Sequence, residues 1–195
     1  MEPRALLEAL HIAERLKDET RHCFTSGGRR ESVAEHSWRA ALMIMFMQES
    51  IQKEFPEADI DRMMKMCLVH DLGECFIGDI PVFDKTDADE ELEEKLLNDW
   101  LDTLPEDLSK ELKSLHQEMA EQKTVESRIF KAVDGLEAIL QHNESHISTW
   151  EDHEYDLNLT YCHDRVQFSD YLTRLRAEIR RDTEDKIAAE QAEKE

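Results

Sequence analysis

Glycine and proline are scarce in this chain, five and four among 195 residues. So few turn-forming residues leave little room for a strand-rich fold and favour long helices. No uncharged apolar run approaches the roughly 18–20 residues that cross a bilayer, so no membrane span is expected. The four cysteines, Cys23, Cys67, Cys75 and Cys162, are scattered and form no Cys-x-x-Cys pair, which reads as reduced or buried thiols in a cytoplasmic protein. Residues 1–13 are charged and hold no apolar core of signal-peptide length. Basic charge is also short: 24 Lys and Arg face 46 Asp and Glu, a formal net charge of −22. Such a surface repels nucleic acid polymers and anionic lipid, and excludes both as expected partners. It does not exclude a small anion, because a bound divalent cation and a few arginines reverse the potential locally.

What is present is helical spacing almost throughout. Apolar residues are 40% of the chain, enough for one core. Leu6, Leu7, Leu10, Ala13 and Leu16 predict a first helix ending near Lys17, and residues 21–31, with Gly27-Gly28, read as a loop. Ser32-Val33-Ala34-Glu35 matches a capping box opening a second helix. Asp59 is placed to cap a third helix, with Gly73 as its end. Charged amphipathic segments at 89–104 and 106–121, a helix over 125–141, an irregular stretch over 143–163 and a last helix carrying Phe168, Leu172, Leu175 and Ile179 complete the pattern. No segment shows convincing two-residue alternation, so the fold is expected to be all-α, a helical bundle. Residues 1–182 read as one domain, and 183–195 as a polar, alanine-rich tail expected to fray.

The chemistry is suggested by polar residues inside otherwise apolar segments. His36 precedes an apolar block in the second helix, His70-Asp71 follows the run 66–69, and Asp134 stands beside Val133 in a buried stripe. A buried carboxylate needs a partner or a cation, since an isolated charge in a core costs several kcal/mol or more. Two imidazoles and two carboxylates from three helices make a plausible nitrogen and oxygen shell for a divalent transition metal. Singly, each residue has an ordinary reading: either histidine as a satisfied or surface group, Asp71 as a helix-end group, Asp134 as the ion-pair partner of Lys131.

Order, spacing and flanking sequence carry a resemblance. Glu-Ser-Val-Ala-Glu-His-Ser-Trp (31–38), His-Asp-Leu-Gly-Glu (70–74), Gly-Asp-Ile-Pro (78–81) and Lys-Ala-Val-Asp-Gly-Leu-Glu (131–137) resemble, over roughly residues 5–180, the HD-domain phosphohydrolases, in the branch containing bacterial 5′-deoxynucleotidases. The resemblance implies that His36, His70, Asp71 and Asp134 ligate one divalent metal ion, among Co, Mn, Mg, Ni, Fe and Zn. It implies that Glu74 handles the proton of the attacking water and that Asp79 lies near the scissile phosphate. It implies substrate contacts from Arg21 and His22, the latter standing where the best-known deoxynucleotidase has tryptophan. Arg29 and Arg30 are further candidates for phosphate contact, and Glu137 for a bond behind a ligand histidine. Dimerisation is implied by the resemblance alone. Dinuclear relatives carry extra histidines between the HD pair and the last aspartate. Here only His116 lies there, in a charged helix expected to be exposed, so one metal is expected.

The implied function is metal-dependent removal of phosphate from a small nucleotide, a nucleoside 5′-monophosphate with or without the 2′-hydroxyl. Hydrolysis of a di- or triphosphate at the same site is the runner-up. Two other classes stand beside it: a non-catalytic helical protein holding a structural metal or a signalling nucleotide, and an acidic protein-interaction module. Retention of Glu74, Asp79 and Arg21 speaks against the first of these, because a structural metal site needs only its ligands. The segment 143–163, close to His142 and holding His146, Trp150, His153 and Tyr155, is left without a role.

Overall fold

A computed structural model describes residues 1–81 and 84–194. The expected start signals form. Ser32 Oγ accepts a hydrogen bond from the Glu35 amide at 3.3 Å, and the Glu35 carboxylate accepts from the Ser32 amide at 3.0 Å, opening α2 (Val33–Glu54). The Asp59 carboxylate accepts from the Arg62 amide at 2.9 Å and opens α3 (Ile60–Val69). Around these lie α1 (Pro3–Ala13), α4 (Glu74–Ile77), α5 (Asp87–Leu101), α6 (Glu106–Glu121), α7 (Val125–Glu144), α8 (Asp152–Thr160) and α9 (Asp170–Lys194). The all-α expectation holds, with one small hairpin added.

The core lies where α2, α3 and α7 pack on one another, with α6 against α3 and α7, and α9 closing the far side of α7. Val33, Ala40, Ile44, Met63, Met66, Ile129, Val133 and Leu136 are all buried there. Each larger aliphatic side chain buried in this way contributes about 1.5–3 kcal/mol relative to exposure. The α2, α3 and α7 contact matters most for function, because the three elements that carry the candidate ligands are the ones the core fastens together.

Five expectations need correction. Residues 21–31 are not a plain loop: β1 (Thr20–Phe24) and β2 (Arg30–Ser32) pair antiparallel, Thr20 opposite Ser32 and Phe24 opposite Arg30, with an irregularity between. Both faces of β1 are partly covered, so no alternation marks it. Helix α3 ends at Val69 rather than Gly73, because residues 70–73 form a tight turn with Leu72 N bonded to Val69 O and Glu74 N to Asp71 O. The stretch 143–163 is structured: α7 runs to Glu144, a 3₁₀ turn spans Ile147–Thr149, and α8 follows. Residues 183–194, expected as an irregular tail, are helical: α9 continues to Lys194 and buries Thr183, whose hydroxyl donates to Asn143 Oδ1 at 3.0 Å; Glu195 lies outside the described residues. His116 is half-buried, not exposed, and its Nε2 is enclosed without a polar partner.

Two glycines are fixed by geometry. Gly78 adopts φ +83° in the turn before Asp79, and a Cβ there would lie 3.0 Å from the Glu19 carboxylate. Gly135, next to Asp134 in α7, lets Cys162 pass so closely that a Cβ would lie 2.1 Å from its Sγ.

Candidate metal and substrate site

The core helices bring His36, His70, Asp71 and Asp134 together. His36 sits one turn into α2 and is wholly buried; the turn after α3 aims His70 and Asp71 at the same point; Asp134 projects from the middle of α7. His36 Nε2 lies 3.2 Å from Asp134 Oδ1 and 3.9 Å from Asp71 Oδ2. His70 Nε2 lies 3.0 Å from Asp71 Oδ2 and 3.6 Å from Asp134 Oδ1. Each imidazole Nε2 thus lies within 3.9 Å of an oxygen of both aspartates.

What lies behind each ring decides what its inner nitrogen can do. His70 Nδ1 donates to the Cys67 carbonyl oxygen at 2.9 Å, and His36 Nδ1 is bonded to the Glu137 carboxylate. A neutral imidazole holding its proton on Nδ1 has a lone pair on Nε2. Both lone pairs therefore face carboxylate oxygens, an arrangement that repels unless something positive stands between. His70 Nε2 and Asp71 Oδ2 are buried without a hydrogen bond. Metal–ligand bonds of about 2.1 Å put neighbouring donors roughly 3.0–3.4 Å apart; the spacings of 3.0 and 3.2 Å fall in that range, and those of 3.6 and 3.9 Å lie just beyond it. The donor set fits a divalent cation. With protons alone to balance the carboxylates, burial opposes the His70 charge but Asp71 and Asp134 outweigh it, and its pKa rises to about 10.

Glu137 is held from its other side by Arg39, with Nε 2.8 Å from Oε1. The second oxygen of Asp134 accepts from the Lys131 ammonium at 2.8 Å, so the ion pair considered from sequence exists but leaves Oδ1 for the site. Lys131 is a residue that sequence reasoning left without a role. Its signal was its position, one turn before Asp134 in the last block of the resemblance.

A cavity of about 270 Å³ opens beside these ligands, and Arg21, His22, Glu74, Asp79, Lys131 and Asp134 all reach it. Glu74 starts α4 with Oε2 enclosed and unpartnered; burial, then Asp71 and Asp79, push its pKa to about 9. Asp79 is raised by burial, against the pull of Arg21. Arg21 extends from β1 and is held by Glu31, Nε to Oε2 3.5 Å. Glu31 is itself buried and was another residue not singled out. Burial disfavours the Arg21 charge, but the acids around it more than compensate and raise its pKa.

The structure does not bring Arg29 and Arg30 to this cavity. They lie at the far side of the hairpin, Arg29 paired with Glu35 and Arg30 bonded to the Arg21 carbonyl at 3.2 Å with its guanidinium over Phe24. His116 lines a neighbouring cavity with His70 and Lys85. Burial, then His70, lower the His116 pKa to about 4.

Comparison with known proteins gives a consistent picture. A family model described as HD domain matches residues 13–176. A human protein named 5′-deoxynucleotidase HDDC2 is 34% identical over 145 residues, covering 72% of this chain and 68% of its own. Its namesake from Dictyostelium discoideum is 36% identical over 144 residues, covering 71% and 76%. Among solved structures, one described as a predicted metal-dependent phosphohydrolase from Magnetospirillum magnetotacticum MS-1 superposes with a TM-score of 0.80 at 28% identity, covering 95% of this chain and 92% of that one. A conserved hypothetical protein from Pyrococcus furiosus gives 0.73 at 29% identity, over 90% and 99%.

Proposed function

Because this chain belongs to the HD-domain family, we propose that it is a metal-dependent phosphohydrolase that releases phosphate from nucleoside 5′-monophosphates, with His36, His70, Asp71 and Asp134 as the ligands of one divalent ion. The observation that carries the reading is the pair of imidazole Nε2 atoms turned toward two carboxylate oxygens while the Nδ1 atoms are bonded behind them. Relatives named 5′-deoxynucleotidases support the nucleotide as substrate.

When bound, the ion supplies Lewis acidity toward water and a phosphoryl oxygen. The residues do the rest. Arg21, held by Glu31, pairs with the non-bridging phosphate oxygens, where charge accumulates during transfer. Glu74 accepts a proton from the attacking water, its carboxyl ionised where a cation beside Asp71 would offset the burial and acidic neighbours that raise it. The new bond forms between that oxygen and phosphorus as the bond to the nucleoside 5′-oxygen breaks. Asp79, which lines the same cavity, delivers a proton to the departing oxygen. The products are inorganic phosphate and the nucleoside, and no side-chain nucleophile is needed.

The same reading includes pairing of two chains. Trp38, Met45 and Phe46 are exposed on α2 at spacings of seven and eight residues, forming an uncharged stripe on a chain of strongly acidic surface. No helix among the described residues is long and apolar enough to cross a membrane, and four free, buried cysteines suit the reducing cytoplasm. Residues 1–182 are read as one domain, with the end of α9 extending beyond it.

The test is phosphate release from a panel of nucleoside mono-, di- and triphosphates with Co²⁺, Mn²⁺ or Mg²⁺. Release from the 5′-monophosphates is expected, and silence on every nucleotide with every metal would overturn the reading.

A further inference from the structure

The cavity has a second end. Along one face of α7, Asp134, Ala138 and His142 follow one another at intervals of four, and eight residues of helix span roughly 12 Å. Both ends belong to the same cavity, with Ala138 and His142, and Asn158 bonded to His142, at the far one. A phosphate held near Asp134 therefore directs the remainder of a nucleotide toward His142 and His22.

Three elements meet there. Glu154 Oε1, from α8, lies 3.1 Å from His22 Nε2 on β1 and 3.5 Å from His142 Nε2 on α7. The two rings stand edge to face, centroids 5.2 Å apart. Behind them, Asn158 Nδ2 donates to His142 Nδ1 at 3.0 Å, and Arg176 fixes the Asn158 backbone through a 3.0 Å bond to its carbonyl. The other oxygen of Glu154 accepts from the Glu151 amide at 2.7 Å, anchoring the carboxylate to the start of its own helix. His142 and Glu154 are buried, while the His22 side chain keeps 26% of its surface and reaches the cavity.

The three donor atoms are close enough to hold a cation, but the hydrogen bonding points elsewhere. Asn158 donates to Nδ1 of His142, so the neutral ring carries its proton on Nε2 and donates toward Glu154. Burial keeps that ring neutral, its pKa lowered to about 4. Glu154 Oε1 and His22 Nε2 are 3.1 Å apart without hydrogen-bond geometry, so their contact is electrostatic, and the Nε2 proton of His142 turned inward disfavours a cation between the three.

We propose that Glu154 and His142 are positioning residues that clamp His22 at the nucleoside end of the cavity, so that its ring forms a rigid wall against the sugar and sets which nucleosides are accepted. A ring that cannot swing aside discriminates between sugars that differ by one hydroxyl; a loose ring accommodates either. The clamp acts on binding of the nucleoside and stays out of the phosphoryl step. The inference rests on the nucleotide reading above.

Glu154→Gln is the informative change, because its amide oxygen keeps the bond from Glu151 while its NH₂ faces two donors. Steady-state kinetics on the four ribo- and four 2′-deoxyribonucleoside 5′-monophosphates should show KM raised at least about fivefold, kcat within about twofold, and the ribo-to-deoxy ratio of kcat/KM drawn toward one. In a His22→Ala background the same substitution should add nothing, because Glu154 acts through His22. Metal content should not change. If Glu154→Gln fails to fold by circular dichroism, His142→Gln replaces it, with the same direction and about threefold in KM. Additive losses in the double variant, a wild-type ratio already within twofold of one, an unaltered ratio in the single variant, or metal lost with Glu154 would each overturn the clamp. A wild-type enzyme silent on all eight nucleotides would instead overturn the nucleotide reading itself.

Discussion

Helix α7 carries two clusters of imidazole and carboxylate, eight residues apart, built from the same groups and doing opposite things. At Asp134, the Nδ1 atoms of His36 and His70 donate backward, to Glu137 and to the Cys67 carbonyl. Their Nε2 atoms then face acids, the arrangement proposed to hold a cation. At His142, Nδ1 accepts from Asn158, so the proton sits on Nε2 and turns toward Glu154 at 3.5 Å, which disfavours a cation there. The group behind an imidazole decides what can stand in front of it. Composition alone would have given both clusters the same role.

The comparison can be broken most forcefully at a ligand. Asp71→Ala should abolish metal retention and lower kcat by about 10³-fold, several kcal/mol of lost stabilisation, read by elemental analysis and phosphate release. Full activity with full metal content would show that the first cluster does not need its cation. Next in size is Glu137→Gln, which takes the acceptor from behind His36. Metal affinity should fall by about 10- to 100-fold, whereas Glu154→Gln leaves it intact. Equal effects of the two changes would erase the distinction between the clusters.

A pH series sharpens it further. In metal-free protein the Glu74 pKa stands at about 9, for reasons of burial and then Asp71 and Asp79, above its ordinary 4.5. A carboxyl group with a raised folded-state pKa favours the folded state most below pH 4.5, and that contribution drains away as pH climbs toward 9. The raised pKa of His70 acts in the same direction, between 6.5 and about 10. Melting temperature in chelator should therefore fall from pH 6 to pH 9, by less in Glu74→Gln, while metal affinity rises over the same range as protons cease to compete. A flat melting profile would argue against both assignments. Least of all should follow from Arg29→Ala, which touches neither cluster: KM within about twofold of wild type. A larger rise would return Arg29 to the substrate site.

Much of the first cluster was legible because it violates a pattern. His36, His70-Asp71 and Asp134 are polar residues set in apolar helical stretches, and the Ser32 and Asp59 caps fixed where two of those helices begin. The second cluster left no such trace. The buried residues of α8 are Glu154 and Asn158, both polar, so apolar periodicity has nothing to detect and the segment reads as irregular. The hairpin was hidden for a related reason, since β1 is partly covered on both faces and its register is broken. His116 misled because its helix is richly charged, yet the side toward His70 turns inward. In each case tertiary packing covers polar atoms that sequence rules assign to water.

Gly135 binds these two halves of the molecule more tightly than their separate chemistry suggests. Beside it in sequence is Asp134, and pressed against it in space is Cys162, two residues past α8 with its backbone at φ 63°. Even one added methyl would have to push Cys162 away and carry the end of α8, with Glu154 and Asn158, along with it. A single missing side chain thus keeps the Asp134 end and the His142 end of the cavity in register, so neither can drift during divergence without disturbing the other.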